Sequence, residues 1–365
     1  MSRALADPCL FQTVLFSASA HRDSIQDIPH TPQTLYHHSQ ALKILHERLK
    51  ESYQTSYEIG GAALALTFYN ARTRQIISAN AYMSGYNIDT ALVHQSGLLR
   101  MMAMNQNRGP EFEALAALVN LILLGLSVVV NQEPPFIPPT SASLRSDPFT
   151  FQSYCVPSDL LRRGAVRAAE SQHGILTSDT VSKLHSVLDF IISAEHASIP
   201  ELHILYANAI WNMPTKTSAE TDPTITVRKT AQTMNQCCHL AINIFWAIFG
   251  TALYPNGTSG PADPASTRTS ILALRATFRK VDMVTWKKHA PETYLWVCFT
   301  AAAACDEAAG RVPFVAVATP VLSASDTTEL RLSRECWRYY KWLSELLSLQ
   351  IGEQNMHGEI ISELF

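Results

Sequence analysis

A chain of 365 residues with 47% hydrophobic and 16% charged side chains has enough apolar mass for one large core or two ordinary ones, which excludes a disordered or fibrous protein. A formal net charge of −3 supplies no general positive field, so autonomous binding to nucleic acid is not expected. The seven cysteines are odd in number and thinly spread, which excludes a secreted disulfide framework and fits a reducing compartment, and no two C-x2-C pairs offer four ligands to zinc.

Apolar residues recur at helical spacing with little alternation of the strand kind, so the expected fold is all-α: a large multi-helix domain of packed helical hairpins with Pro/Gly-rich loops. Residues 1–365 read as a single domain with a subdivision near 134–155. Helices are expected over 7–21, 31–53, 56–73, 75–104, 110–131, 156–171, 177–196, 199–212, 226–254, 266–281, 290–308 and 326–349.

The first begins at Asp7-Pro8, an acid cap followed by a first-turn proline. An early Arg3 and the Ala18-Ser19-Ala20 ending imitate a secretory leader, but Asp7, Pro8, Gln12 and Thr13 interrupt its apolar run. Thr31-Pro32 caps the second helix, where Leu35, Leu42, Leu45 and Leu49 read as the buried stripe beside a polar, basic face. His38 and His46 on that helix stand two turns apart, about 12 Å of rise, too far for one metal ion.

In the helix before Gly109-Pro110, His94 and Arg100 are six residues apart, about 600° of rotation, and face different ways. Gly97 reads as a place for close helix packing, and Leu98, Leu99, Met101 and Met102 as core. The apolar runs 115–130 and 238–254 fall short of the roughly 20 residues a bilayer needs, and each carries an asparagine. They read as core helices, with no membrane partner. The proline-rich stretch 133–148 must be a loop, and 213–224 and 254–266 are shorter ones.

Thr177-Ser178-Asp179 caps a stripe of Val181, Leu184, Leu188 and Ile191, and Ser325-Asp326 opens a last helix with Leu330, Leu332, Cys336, Tyr339, Tyr340, Leu343, Leu346 and Leu347 as its apolar residues. Ala301 to Ala304 allow a neighbouring helix to come close. Asp306-Glu307 reads as a helix-end charge cluster, and Arg162-Arg163 with Arg167, and Trp286-Lys287-Lys288-His289, as solvated basic faces.

Chemical motifs do not emerge. G-x-S-x-G, G-x-G-x-x-G, the phosphate-binding loop and H-E-x-x-H do not occur, so no residue is assigned as catalytic, cofactor-binding or metal-ligating. The contrary reading, an enzyme or accessory protein with a buried apolar pocket, rests on Asn120, His239, Asn243 and Trp246 embedded in apolar helices. Satisfied core groups explain the same residues.

Several segments in order resemble one family. ADPCLFQTVLFSASAHRD (6–23), TLYHHSQALKILHERLKES (34–52), LVHQSGLLRMMAMNQNRG with the following hydrophobic helix ending in Pro134-Pro135-Phe136, TYLWVCFTAAAACDE, and Cys336-Trp337 are similar to the helical regulatory domain of fungal-specific transcription factors. That domain usually accompanies a zinc binuclear cluster. The cluster's six cysteines do not occur in this chain, and Gly109 is followed by Pro110 where the pattern has a second glycine, so the resemblance transfers no DNA contact to any residue.

What the resemblance implies is a non-catalytic transcriptional regulator with no cofactor, located in the nucleus or alternatively the cytoplasm. Control of a secondary-metabolite gene cluster belongs to the same expectation. Its partners would be proteins of the transcription machinery or a DNA-binding regulator, with a small molecule as a further ligand.

Overall fold

The computed structural model describes residues 6–26, 28, 31–51, 59–63, 88–104, 110–137, 159–162, 164, 175–194, 197, 199–211, 225–254, 264–278, 280, 283–322 and 329–352. Among these residues there is no strand, and the fold is all-α. The chain divides into two compact units, Met1–Gln152 and Ser153–Phe365.

In the first unit, α1 (Pro8–Ile25) and α2 (Pro32–Glu51) form an antiparallel hairpin. Asp7 caps α1 by accepting from the Leu10 amide at 2.9 Å, and its carboxylate also pairs with Arg48 at the far end of α2. Thr31 caps α2 in the same way, its hydroxyl facing the Thr34 amide at 3.4 Å. The buried face of α2 differs from expectation. Leu35, Leu42 and Leu49 are exposed, and the seam against α1 is made by Thr34 and Ala41, with Ala41 and half-buried Leu45 against Phe16 and Ala20. Small residues allow the two backbones to approach, so close packing rather than leucine content chose the face.

α3 (Ile88–Met104) and α4 (Pro110–Val130) build a second cluster in this unit from Leu98, Met101, Met102, Phe112, Leu115, Val119 and Leu123. Gly97 takes no part in it. Among the described residues a Cβ there would meet nothing within 4 Å, which corrects its reading as a packing residue. α4 ends at Asn131, whose φ of 56° lets the chain turn out of the helix, with Gln132 N–H donating back to the Ser127 carbonyl at 3.0 Å.

The second unit is arranged about two buried helices, α7 (Ile225–Leu253) and α10 (Pro291–Ala303). Around them lie α5 (Ser178–Ala194), α6 (Ile199–Trp211), α8 (Pro264–Phe278), α9 (Met283–His289), α11 (Ala308–Leu322) and α12 (Glu329–Gly352). α7 packs on α5, α6, α8, α10 and α12, and α10 packs on α9, α11 and α12 as well. Every residue from Thr293 to Ala303 is buried, so α10 has no solvent stripe, and Ala301 to Ala303 give its neighbours the close approach expected. Phe190, Phe245, Trp246 and Phe249 pack edge to face at centroid distances of 4.8–6.1 Å.

Two elements here were not foreseen in the sequence. α9 follows a turn after Phe278 where one continuous helix to 281 was expected, and α11 occupies a stretch with Pro313 and Pro320 inside it. Each interior proline costs a helix about 3 kcal/mol, and burial of Val312, Phe314, Ala318, Val321 and Leu322 offsets that. The expected elements 56–73 and 156–171 are described only as helical residues 59–63 and 159–164 without 163; Ser325-Asp326 and most of 133–148 lie outside the described residues.

Two helices, Phe112–Val130 and Thr230–Leu253, are long and apolar enough to cross a membrane by length and composition. Within the protein 61% and 56% of their windows are buried.

Candidate functional site

The polar residues that might carry chemistry are mostly spent on structure. Asn120 on α4 clamps the loop that follows its own helix, donating to the Ile137 carbonyl at 3.0 Å and accepting the Ile137 amide at 2.7 Å. Asn243 is exposed. Trp246 is buried within the aromatic group, and its carbonyl accepts the Tyr206 hydroxyl at 3.2 Å. His37 meets Gln12 at 2.8 Å, His38 lies against the Phe16 ring, and His46 is exposed. Arg100 is exposed on α3, as are Asp306 and Glu307 in the turn between α10 and α11. Arg162 is exposed beside Asp159; Arg163, Arg167, His196 and the side chain of His94 lie outside the described residues.

One group does converge. His239 of α7 meets the first turns of α5, where Thr177, Asp179, Thr180 and Lys183 line its approach, with Asn235 one turn earlier on α7. The local sequence explains the placement. Thr177 caps α5, its hydroxyl facing the Thr180 amide at 3.3 Å, and the next turn aligns Asp179 with Lys183 at i,i+4, Nζ to Oδ2 2.9 Å. Asn235 and His239 stand four apart on the facing helix and present their side chains together.

The hydrogen bonds form one consistent set. Asn235 Oδ1 accepts the Thr177 amide at 2.9 Å and the Thr180 hydroxyl at 2.6 Å, while its Nδ2 donates to the carbonyls of Ala231 and Ile175 at 2.7 and 3.1 Å. Because the single Thr180 hydroxyl hydrogen goes to Asn235, His239 Nε2 must donate to Thr180 Oγ1 at 2.9 Å. Nδ1 is then the acceptor facing Lys183 Nζ at 3.5 Å, and Asp179 Oδ2 lies 3.6 Å from Nε2. Thr180 is wholly buried and Lys183 is 7% exposed.

Electrostatics point the same way. Burial first, and the Lys183 ammonium second, hold the His239 imidazole below its ordinary value against the opposing pull of Asp179. A neutral His239 beside buried Lys183 and half-buried Asp179 holds one tautomer within the network. It joins α5 to α7. The sequence flagged His239 but missed Thr180, Lys183 and Asn235; a lysine four residues after the capping acid on an otherwise apolar face was the available signal.

Nucleophiles elsewhere are quenched by burial. Cys237 and Cys238 on α7 have thiols raised by desolvation, Cys237 to about 12, and Cys298 on α10 is raised well above its ordinary value by burial and then by Cys237 and Cys336. Tyr339 shares a hydrogen bond with Thr300 at 2.9 Å within the same core. Among the described residues no three His, Cys, Asp or Glu side chains converge to hold a metal ion.

Comparison of the chain with protein-family models, curated proteins and solved structures finds no match.

Proposed function

We propose that this chain is a non-catalytic transcriptional regulator, related in design to the regulatory domain of fungal-specific transcription factors and acting through protein partners. The single observation that supports it is positional. The segments that carry the resemblance occur in family order, and each sends some residues to a core: Phe16 and Ala20 of α1, Ala41 of α2, Leu98 and Met101 of α3, Tyr294 to Ala303 of α10, and Cys336 and Trp337 of α12, while Leu35, Leu42 and Leu49 of α2 stay exposed.

A scaffold of this kind works by presenting surfaces, and its buried polar groups serve to fix helix positions. The network around His239 fits that role, since the hydrogen bonds described in it join α5 to α7 within the protein. A nuclear location, partnership with a DNA-binding regulator or the transcription machinery, control of a secondary-metabolite gene cluster and a small-molecule signal held in an apolar groove form the rest of the proposal.

The test is deletion in the native host with transcript profiling, alongside incubation of the purified chain with host metabolite extracts. Coordinated change in a set of neighbouring genes, with no metabolite consumed, is the expected result. Unchanged transcripts, or turnover of a metabolite, would sink the reading.

A further inference from the structure

We propose that the outer face of α8 and α9 is a docking surface for an acidic, amphipathic helical segment of a partner protein. Residues 264–290 hold six of the chain's 28 Lys and Arg and one acid, Asp282, within a chain whose net charge is −3. The described cations are Arg268, Arg275, Lys280, Lys287 and Lys288. Among the described residues none of these is paired with a carboxylate, whereas Lys183, Arg331, Arg48 and Lys341 all are.

The cations share their side of the helices with apolar groups. Leu272 is 58% exposed and Val284 is 72% exposed. On α8, residues 268, 272 and 275 fall within about 60° of one another at 100° per residue, and on α9, residues 284, 287 and 288 fall within about 100°. Ring contacts anchor the two helices together. Phe278 of α8 and Trp286 of α9 both pack on the Tyr294 ring of α10, at centroid distances of 5.3 and 5.1 Å. Arg268, Leu272, Val284 and Lys288 are thus exposed, and Arg275 and Lys287 half-buried, on two helices held by one buried ring, with exposed Lys280 in the turn between them.

Charge complementarity selects the occupant. Uncompensated cations repel one another and gain from carboxylates brought alongside, and the exposed Leu272 and Val284 gain from apolar side chains at helical spacing. A nucleic acid would satisfy the cations alone. It offers nothing to two exposed aliphatic groups, and the rings of this segment that could stack on a base are engaged inside: Trp286 is fully buried and Phe278 packs on Tyr294 and Phe314. This inference stands on the surface and does not depend on the regulatory reading.

The experiment uses the full chain and a fluorescein-labelled peptide of about 20 residues with Leu and Phe at i, i+3, i+4 and i+7 flanked by Asp and Glu. Fluorescence anisotropy is expected to show saturable, salt-sensitive binding. The pairs Arg268→Glu with Arg275→Glu, and Lys287→Glu with Lys288→Glu, should each weaken it at least about 10-fold. Leu272→Ser with Val284→Ser should weaken it several-fold while leaving its salt dependence. The same peptide with Asn and Gln in place of its acids should not bind. Circular dichroism confirms that the exposed substitutions leave the helices intact. No binding of the acidic peptide, binding that none of these variants alters, or tighter binding of a duplex DNA oligonucleotide that the charge reversals abolish would each overturn the proposal.

Discussion

His239 Nε2 lies 2.9 Å from Thr180 Oγ1, across the seam between α7 and α5, with the Lys183 ammonium 3.5 Å from the other ring nitrogen. The imidazole is therefore useful to the fold only while it is neutral. Protonating Nδ1 removes the acceptor that faces Lys183 and sets two cations against each other, with Asp179 the single described carboxylate at this cluster. Since the folded value is depressed, the unfolded chain binds more protons than the native one between that value and about 6.5, and stability rises with pH across this window. We expect the urea midpoint to be steady above about pH 7 and to fall as pH drops through about 6.5. His239→Gln, which keeps an amide donor for Thr180, should flatten that fall; an undiminished slope in the variant would assign it to another group.

Carboxylates act lower on the pH scale. Asp23 is buried, and although desolvation acts to raise its value, the Thr34 hydroxyl at 2.6 Å, the Thr31 amide at 2.9 Å and the Thr31 and Arg22 side chains more than reverse it. Its contribution is present above the ordinary value of 3.8 and is lost as pH falls through the lowered native one. Asp23→Asn should remove this acid-range dependence and loosen the α1–α2 turn by about 1–3 kcal/mol, because an amide cannot accept from all of these donors. Chemical denaturation of the variant between neutral and acid pH checks both effects.

Two buried asparagines should differ in cost. Asn235→Ala leaves the Thr177 amide, the Thr180 hydroxyl and the Ile175 carbonyl without this partner at the α5–α7 seam, and about 2–4 kcal/mol is expected. Asn120→Ala frees the amide and carbonyl of Ile137 alone, in a half-buried loop that water reaches more easily, and about 1–2 kcal/mol is expected. Urea unfolding monitored by near-ultraviolet circular dichroism measures each. Equal losses would mean that the seam is not specially dependent on Asn235.

How much of this was legible in the sequence depended on the range of the forces involved. Caps at Asp7, Thr31 and Thr177 are local, three-residue relationships, and each forms as its residues suggest. Helix faces were less legible. In α2 the leucines at 35, 42 and 49 have the right period but the wrong azimuth, because the seam with α1 is set by what small residues such as Ala41 allow. α11 was hidden by Pro313 and Pro320, whose local penalty is offset only by tertiary burial. The His239 network joins residues 55 to 59 positions apart, and no spacing rule within one helix reports such a pairing.

Glycines give the last prediction, with opposite signs. Gly164 stands against the first turn of α10, where an added Cβ would lie 2.9 Å from both the amide nitrogen and Oγ1 of Thr293 and 3.2 Å from its Cα. Backbone cannot rotate away as a flexible side chain can, so Gly164→Ala should destabilise by about 1–3 kcal/mol. Truncating the hydroxyl with Thr293→Ala relieves only one of these contacts and should restore little. Gly97 is exposed in the interior of α3 with open space around its Cα, so Gly97→Ala should stabilise by about 0.5–1 kcal/mol through the lower entropy of the unfolded chain. Thermal midpoints of the two single variants read both signs. A loss on Gly97→Ala would show that α3 has a neighbour at that position, and would restore the close packing that its sequence suggested.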